Sequence, residues 1–362
     1  MLCKLLSHMN RQRFDSLVIS LIDRGSLMDR FKELGVPIHV IGMKPARPTP
    51  AAFVRLARKL HELRPAVIQG WMYHSNLAAQ LAVAVAPARV PVLWNVRGSH
   101  YSLKDEKLAM AATIWLTAKL SGLPARIINN SVSSALGHEQ NLGYSADKRV
   151  IIPNGFDTSL FVPSAEARSS VRAELGVAEN AVLIALVARF HPVKNHAGFL
   201  EAASLLLKKH PGVHFVLAGK GIDETNDVLS GIMKRLGISE QVHLLGERGD
   251  MPRLAAAMDI VSLTSHAEGF PNVIGEAMSC GVPCAVTDVG DSAWVVGNTG
   301  RVAPPGDAHA LAKAWQELIE MGDEHRRELG GLARRRVIEN FSLDAIARQY
   351  EELYEQVFFS AG

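Results

Sequence analysis

The sequence of 362 residues contains little cysteine, few aromatic residues and no long apolar run. Its three cysteines, Cys3, Cys280 and Cys284, form no metal-ligand pattern with nearby histidines, and an odd number is typical of reduced thiols in a cytoplasmic protein. No stretch approaches the roughly 18 consecutive apolar residues that a membrane-spanning helix requires. Residues 1–14 also lack a continuous apolar segment, so we expect no signal peptide and a cytoplasmic location.

The sequence also lacks a large excess of charge of one sign, because 39 Lys and Arg are balanced by 36 Asp and Glu and leave a net charge of +3. Without a concentrated basic patch, we do not expect nucleic acid to be a partner. The hydrophobic fraction of 48% and the charged fraction of 21% are those of a globular protein. At this length we expect two domains of about 150 to 200 residues each.

Short runs rich in Val and Ile alternate with helical stretches along the whole chain. This alternation predicts two doubly wound α/β domains with mostly parallel sheets. A turn-rich stretch at residues 153–163 places the boundary near residue 155, so the predicted domains are residues 1–155 and 156–342. The predicted strands are residues 17–21, 37–41, 66–69, 90–96, 126–129 and 149–152 in the first domain, and 181–188, 213–218, 241–245, 259–263, 282–286 and 300–302 in the second.

The strand predicted at residues 181–188 is followed directly by Arg189, and a helix is predicted to begin near Asn195 or His196. Ligands of an open α/β sheet bind at the carboxyl ends of its strands. Arg189 and Lys194 are therefore two cations near the expected ligand position, and they suit a diphosphate by charge and, for Arg, by bidentate geometry. Unpaired N–H groups at the start of the helix favour the same anion.

The next predicted strand, residues 213–218, runs into Gly219 and Gly221, which allow a ligand to approach the backbone. A dinucleotide-binding fingerprint requires a third glycine where this chain has Glu224, and no GxxxxGK[ST] phosphate loop occurs. The sequence therefore disfavours both a dehydrogenase and a P-loop enzyme.

A third segment follows the strand predicted at residues 259–263. Its loop is expected to open a helix whose first N–H groups, at Asn272 and Val273, are free for an anion. Glu276 lies one turn into this helix, where the helix dipole keeps a carboxylate ionised and suited to the paired hydroxyls of a ribose. Glu268, on the preceding loop, is expected to reach the sugar or its phosphate.

Together these three segments resemble the retaining glycosyltransferases of family 4, or group 1, which have the two-domain GT-B fold. The similarity covers nearly the whole chain and is strong in residues 181–305. It implies that two Rossmann-like domains face each other across a cleft, with the nucleotide-sugar donor on the C-terminal domain. It also implies that the last helix, about residues 343–358, returns to the N-terminal acceptor domain.

The family has two glutamates separated by seven residues, which Glu268 and Glu276 match, and the second of these typically holds the ribose. Its diphosphate-binding cations correspond to Arg189 and Lys194. The resemblance thus implies that Glu268, Arg189 and Lys194 are the catalytic residues. The residues implied to bind the donor are Gly219, Gly221, Gly269, Phe270, Pro271, Asn272, Val273 and Glu276.

The implied function is transfer, with retention of configuration, from a nucleotide diphosphosugar, usually a UDP-sugar, to a glycan or lipid-linked acceptor in cell-envelope polysaccharide synthesis. Fixed cations and helix N-termini stabilise the leaving diphosphate without a metal. No DxD-like run stands at a strand end, so we expect neither a metal nor another cofactor.

Membrane attachment is a further expectation, because such acceptors lie at a membrane. Basic residues between positions 55 and 64, and the lysines beside Trp115, permit peripheral association with the inner face of the plasma membrane. A solvated basic face also explains these residues.

The chain departs from the family pattern in both domains. It has Asp291 and Trp294 where many members have a second glycine and a glutamate, which weakens any prediction of contacts from this loop. Arg97 occupies the position of a family histidine near the transferred sugar. The candidates for contact with the sugar or acceptor are His74, Arg97, Ser99 and His100.

Members of the family normally open with a strand and a glycine-rich loop, whereas this chain begins within the first helix. We therefore expect the first strand of the N-terminal domain to be absent and donor binding to be poor. Two alternatives share the same architecture. A UDP-sugar 2-epimerase should carry additional acid/base carboxylates in the cleft, and a pseudoenzyme would bind nucleotide sugar without turnover.

Overall fold

The structure is a computed structural model that describes residues 1–23, 26–44, 49–85, 90–98, 103 and 106–361. The chain divides into two compact units: unit 1 is Met1–Gly155 with Leu343–Gly362, and unit 2 is Phe156–Ser342. In both units strands alternate with helices, and the strand pairs among the described residues are all parallel. The mixed α/β class predicted from the sequence is confirmed.

The described part of unit 1 has its strands in two separate sheets. The first sheet pairs two short strands, with Val18 opposite Ile38. The second has four strands in sequential order, and no described residue pairs it with the first sheet. The strands of unit 1 are β1 (Val18–Ser20), β2 (Ile38–Val40), β3 (Ile68–Trp71), β4 (Val92–Val96), β5 (Arg126–Asn129) and β6 (Arg149–Ile151).

Unit 2 has one continuous six-stranded sheet. Its strands are β7 (Leu183–Val187), β8 (His214–Ala218), β9 (Val242–Leu244), β10 (Ile260–Leu263), β11 (Cys284–Thr287) and β12 (Arg301–Ala303). Their order across the sheet is β12-β11-β10-β7-β8-β9, so the first strand of the unit lies in the middle. All the strands predicted from the sequence are present in the two units, most with shorter ends than predicted.

Helices cover both faces of the sheets, as the alternation of strands and helices requires. Those of unit 1 are α1 (Leu2–His8), α2 (Ser26–Glu33), α3 (Pro50–Leu63), α4 (Met72–Ala84), α5 (Leu108–Lys119), α6 (Val132–Gly137) and, from the end of the chain, α15 (Leu343–Ala361). Those of unit 2 are α7 (Ala165–Leu175), α8 (His196–Leu207), α9 (Asp227–Leu236), α10 (Met251–Ala257), α11 (Asn272–Ser279), α12 (Ser292–Val296), α13 (Ala308–Glu320) and α14 (Gly322–Phe341). No helix of the described residues is long and apolar enough to cross a membrane.

Neighbouring residues of each central strand supply different cores, because successive side chains of a strand point to opposite faces. In β4, Leu93 packs with α1, α2 and α15, whereas Trp94 packs with α4 and α5. In β7, Leu183 packs in a core with α7, α10, α11 and α14, and Ile184 packs in a core with α8, α9 and α13. Strand β7 is apolar at every position, and β4 at every position except Asn95, because both faces of the sheet are covered.

A buried ion pair fixes the amino-terminal edge of the unit 2 sheet. The carboxylate of Asp259, just before β10, accepts hydrogen bonds from Arg172 at 2.6 Å, Arg168 at 2.7 Å and the backbone N–H of Leu183 at 2.8 Å. The side chain of Arg172 is only 1% exposed. Asp259 thereby links β7 to β10 at one edge, and the loops at the opposite, carboxyl-terminal edge are where a site can form.

Candidate functional site

The order of strands in unit 2 reverses between β7 and β10. From β7 the chain continues to β8 and β9 on one side, and from β10 it continues to β11 and β12 on the other. In open α/β sheets, ligands bind outside the carboxyl ends of the strands at such a point. The loops of residues 188–195 and 264–271, which follow β7 and β10, flank this position.

Hydrogen bonds hold these two loops together. The hydroxyl of Thr264 donates to the carbonyl oxygen of Lys194 at 2.7 Å, and the N–H of His266 donates to the carbonyl oxygen of Val193 at 2.8 Å. Thr264 is buried. The two acceptors are the backbone carbonyls of Lys194 itself and of its neighbour Val193. The two bonds therefore fix the backbone at the predicted cation without help from a ligand.

Lys194 and Glu268, two of the predicted catalytic residues, are in direct contact. The ammonium of Lys194 donates to Oε1 of Glu268, and the hydroxyl of Ser265 donates to the same oxygen at 2.6 Å. The two charged side chains are only 22% and 13% exposed. The positive charge of Lys194 is therefore already compensated, and an incoming anion has to compete with Glu268 for it.

Arg189, the third predicted catalytic residue, is exposed two residues beyond the end of β7. Its side chain forms no hydrogen bond or ion pair with any described residue. Arg189 thus presents an uncompensated guanidinium at the carboxyl edge, with five donors in the planar geometry that matches phosphate oxygens.

The loop between Lys194 and α8 is shaped by Asn195. This residue adopts the left-handed conformation, with φ of 52°, and its side chain accepts a hydrogen bond from the N–H of Gly198 at 3.1 Å. The start of α8 at His196 confirms the predicted helix start. The expectation of unpaired N–H groups is corrected in part, since the cap uses the N–H of Gly198.

His196 lies buried beside this loop, with its ring 5.5 Å from that of Phe190. Burial lowers the pKa of His196 to about 4. The imidazole is therefore neutral at neutral pH and adds no second positive charge next to Lys194.

The two predicted glycines follow β8 and support the loop after β7. Gly219 has φ of 143°, and a Cβ at this position would overlap the carbonyl oxygen of Ala188. The two loops are also joined by a hydrogen bond of 2.8 Å from the N–H of Phe190 to the carbonyl oxygen of Lys220. Gly221 has φ of 76°, which favours glycine. Gly219 is thus required by the close approach of the backbone at Ala188, whereas the sequence suggested the close approach of a ligand.

Helix α11 begins at Asn272, and Glu276 lies one turn into it as predicted. No side chain caps the start of the helix. Asn272 is exposed, Val273 and Glu276 are half-buried, and Pro271 is buried. This end of α11 therefore carries the positive end of the helix dipole at the same edge as Arg189.

Aromatic packing supports the loop before α11. The ring of Phe270 is buried, stacked on Phe156 at 6.0 Å and edge-on to Trp294 at 6.3 Å. Only the backbone of Phe270 can therefore serve the predicted donor contact. The ring of Phe156 lies so close to α11 that a side chain at Gly275 would overlap it.

The loop that departs from the family pattern packs behind the same segment. Gly290 has φ of 58°, and a Cβ there would overlap the carbonyl oxygen of Glu268. The N–H of Asp291 donates to the carbonyl oxygen of Gly269 at 3.1 Å. The structure thus gives residues 290–294 a supporting role that the sequence comparison did not predict.

Sequence reasoning also missed three hydroxyl residues at the carboxyl edge. Thr264 and Ser265 follow β10, and Thr287 ends β11 and donates to the carbonyl oxygen of Ser265 at 2.8 Å. All three are buried. The available signal was the Thr-Ser pair directly after an apolar strand, at the carboxyl end where ligands bind in such sheets.

The candidates in unit 1 have different surroundings. His74 is exposed on α4. The guanidinium of Arg97 donates to Asn154 and, at 3.1 Å, to the hydroxyl of Tyr350, and it lies 5.2 Å from the centre of the Trp71 ring. Its contacts therefore join the end of β4 to α15. The other two candidates, Ser99 and His100, lie outside the described residues.

No three His, Cys, Asp or Glu side chains gather as metal ligands within the described part of the chain. Burial raises the pKa of Cys280 to about 12, so this thiol stays protonated beside α11.

Two family models match the chain, one in each half. The model of glycosyl transferases group 1 matches residues 167–336, and the model of Glycosyltransferase Family 4 matches residues 1–160. The two matches together cover most of both structural units.

Curated relatives are similar over part of their length. The N-acetyl-alpha-D-glucosaminyl L-malate synthase of Bacillus anthracis is 31% identical over 52% of this chain and 49% of that protein. The UDP-Gal:alpha-D-GlcNAc-diphosphoundecaprenol alpha-1,3-galactosyltransferase of Escherichia coli is 29% identical over 62% of this chain and 59% of that protein. The chain therefore spans about half the length of the curated relatives it matches.

A solved structure is similar over nearly the whole chain. HepE of Anabaena, crystallised in complex with UDP-glucose, is 25% identical, with a TM-score of 0.77 over 98% of this chain and 95% of that one. The fold of the two units is thus that of a GT-B glycosyltransferase.

Proposed function

We propose that this chain, which belongs to the group 1 and family 4 glycosyltransferases, transfers a sugar from a nucleotide diphosphosugar to a glycan or lipid-linked acceptor. The observation that carries the proposal is the group of Arg189, Lys194 and Glu268 at the switch point between β7 and β10. Two cations at the carboxyl edge of a doubly wound sheet suit a diphosphate, and a carboxylate that holds one of them suits the attached sugar.

A UDP-sugar is the proposed donor. The name of the Escherichia coli relative specifies UDP-Gal, and the Anabaena structure is a complex with UDP-glucose. In this chain, the ribose is assigned to Glu276, which lies one turn into α11 and is only half-buried.

The proposed reaction proceeds with retention of configuration and without a metal. The bond from the anomeric carbon to the diphosphate oxygen breaks, and the acceptor oxygen bonds to the same face of the sugar. The acceptor proton moves to the departing diphosphate. Arg189 and Lys194 stabilise the charge that builds on this leaving group, which is the role a metal has in other transferases.

Lys194 has to exchange partners for this step. With no donor bound, its ammonium is held by Glu268. Binding of the diphosphate gives the ammonium a second anion, and Glu268 then becomes free to accept a hydrogen bond from a sugar hydroxyl while Ser265 keeps it in position.

The acceptor is proposed to be a cell-envelope glycan or a lipid-linked sugar. The Escherichia coli relative is named for an undecaprenol-linked acceptor. An acceptor of this kind lies at a membrane, so the proposal includes peripheral association with the inner face of the plasma membrane.

The test is release of nucleoside diphosphate from a panel of UDP-, GDP- and ADP-sugars, with and without lipid-linked acceptors. One donor should be consumed, and removal of a transition-state contact in Arg189→Ala should lower turnover about 10²-fold. Glu276→Gln removes the proposed ribose contact and should lower turnover at limiting donor. The matched control is Arg235→Ala, an exposed arginine at the end of α9. Turnover that survives both substitutions, or conversion of the donor into its 2-epimer, would contradict the proposal.

A further inference from the structure

Three neighbouring helices of unit 1 expose several large apolar side chains on or directly after them. Helix α4 packs between α3 and α5, which places the three on the same side of the sheet. Single exposed apolar residues are normal on protein surfaces, but a group on adjacent elements marks an interaction site. The large apolar side chains exposed on this layer, here called the α3–α5 face, are Val54, Leu81, Val85, Leu108 and Trp115.

Helix α5 shows the pattern most clearly. Its buried residues are Ile114, Thr117 and Ala118. On the opposite side it exposes Leu108, at 87%, and Trp115, at 54%. Positions 108, 112 and 115 follow helical spacing, and all three are apolar and exposed. A helix that covers a sheet normally has a polar outer side, so α5 has a second apolar stripe without a partner in the described structure.

Positive charge is concentrated in the same part of the sequence. Residues 49–138 contain ten Lys and Arg but only three Asp and Glu, although the whole chain has nearly equal numbers. Neither α4 nor α5 has an acidic residue. Lys107 and Lys119 are exposed at the two ends of α5. The α3–α5 face therefore combines apolar side chains with a net positive charge.

We infer that the α3–α5 face binds the surface of an anionic lipid bilayer, with Leu108 and Trp115 inserted at the interface and the flanking lysines at the headgroups. Trp is enriched at membrane–water interfaces, and basic residues near an apolar stripe are attracted by anionic lipids. A protein partner is a poorer match, since lysine is depleted in protein–protein interfaces.

The inference rests on the proposed function only for its purpose, which is to bring the enzyme to a lipid-linked acceptor. Binding itself requires neither donor nor acceptor. It can therefore be tested with vesicles alone, and its failure would leave the sugar-transfer proposal standing.

The experiment is co-sedimentation of the full chain with vesicles of phosphatidylcholine and with vesicles that also contain phosphatidylglycerol. The protein should bind the anionic vesicles, and the affinity should fall as salt is added. In Lys107→Gln/Lys119→Gln the affinity should fall about fivefold for each lysine. In Leu108→Ser/Trp115→Ser it should fall at least about tenfold, because the inserted apolar area is lost.

Two controls distinguish binding through this face from nonspecific hydrophobic adsorption and from misfolding of the variants. Phe359→Ala removes an aromatic side chain that is 76% exposed on α15, in the other helical layer, and should bind vesicles like the unchanged protein. Brominated lipid tails should quench tryptophan fluorescence in the unchanged protein, and Trp115→Phe should lose the quenching while it still sediments. Turnover of donor in solution should be the same in all these variants.

Three results would overturn the inference. The first is absence of binding to anionic vesicles, and the second is equal binding by Leu108→Ser/Trp115→Ser. The third is self-association of the protein that these substitutions abolish, because the face would then be an interface between copies of the chain.

Discussion

The two units share the alternation of strands and helices but differ in their sheets, because unit 2 has one continuous sheet and the described part of unit 1 has two separate ones. In unit 2 the first strand, β7, lies in the middle and pairs with both β8 and β10. In unit 1, β1 and β2 correspond to β8 and β9, and β3 to β5 correspond to β10 to β12, but no described strand joins the two sets. A central strand thus provides a backbone connection between the two sides of the switch point.

Each unit consequently positions its carboxyl-edge residues by different means. In unit 2, loops that leave adjacent strands hold one another, as the hydrogen bond from Thr264 to Lys194 illustrates. In unit 1, the two sheets are linked through helices instead. The N–H of Asn10, after α1, donates to Glu351 of α15 at 2.6 Å, and Arg97 donates to Tyr350 of the same helix. We therefore expect unit 2 to depend on its strands and unit 1 on α15.

The largest effect is expected from Asp259→Ala in unit 2. This substitution leaves the buried Arg172 without its partner, which should destabilise unit 2 by about 3 to 5 kcal/mol. Hydrogen exchange resolved by peptide should show lost protection in residues 156–342 and little change in unit 1. The matched control is Glu179→Ala, an exposed partner of Arg168 that should have little effect. Equal loss of protection in both units would contradict the comparison.

A smaller effect, confined to unit 1, is expected from Tyr350→Phe. The hydroxyl accepts hydrogen bonds from Asn95 at 2.8 Å and Arg97 at 3.1 Å, and its loss leaves both donors without this acceptor. We expect unit 1 to be destabilised by about 1 to 3 kcal/mol, again measured by hydrogen exchange. Tyr354→Phe removes a single neutral hydrogen bond, to Gln69, and should cost less. The importance of α15 would be refuted if the two variants were indistinguishable.

The pH dependence of unit 2 should reveal His196. Its pKa is lowered from 6.5 to about 4 by burial, so the unfolded chain takes up the proton first as the pH falls. The stability contributed by the neutral ring is complete above pH 6.5 and should be lost between pH 6.5 and 4, to the extent of about 3 kcal/mol. Chemical denaturation across this range should show a shallower decline in His196→Gln. In His309→Gln, which changes an exposed histidine of α13, the decline should be unchanged.

The smallest effect is expected from Glu268→Gln on binding of UDP. Because the carboxylate competes with the diphosphate for Lys194, its neutralisation should tighten binding by about two- to fivefold. Turnover of the donor should fall at the same time, if Glu268 acts on the sugar. Titration calorimetry measures the affinity for UDP, and a turnover assay measures consumption of the donor. Weaker binding of UDP would show that Glu268 supports the site rather than competing within it.

The repeating pattern of the chain made most of the fold predictable. Apolar runs such as that of β7 are bounded by turns and helices, so their type and order could be read from the sequence. The start of α4 was harder to predict, because Met72 has a φ of 67° and lets the helix begin directly after Trp71. His74, one of the predicted contacts to the sugar or acceptor, lies in the first turn of this helix.

The candidate site was predictable in its residue types but not in its contacts. Arg189, Lys194 and Glu268 stand after apolar strands, where the sheet topology places ligands. The contact between Lys194 and Glu268 joins residues 74 positions apart, and no local pattern encodes it. The requirement for glycine at position 290 could not be predicted either, because it arises from the carbonyl group of Glu268 in another loop.

The proposed function depends most on binding of a nucleoside diphosphate by the cations at the switch point of unit 2. The direct measurement is the rise in melting temperature caused by UDP in the unchanged protein, in Arg189→Ala and in Arg235→Ala. At UDP concentrations high enough to fill a weak site, we expect a measurable rise in the unchanged protein and in Arg235→Ala, and little or none in Arg189→Ala, because a ligand that binds only the folded state raises its stability. An equal rise in all three proteins, or none in the unchanged protein with UDP, GDP or ADP, would contradict it.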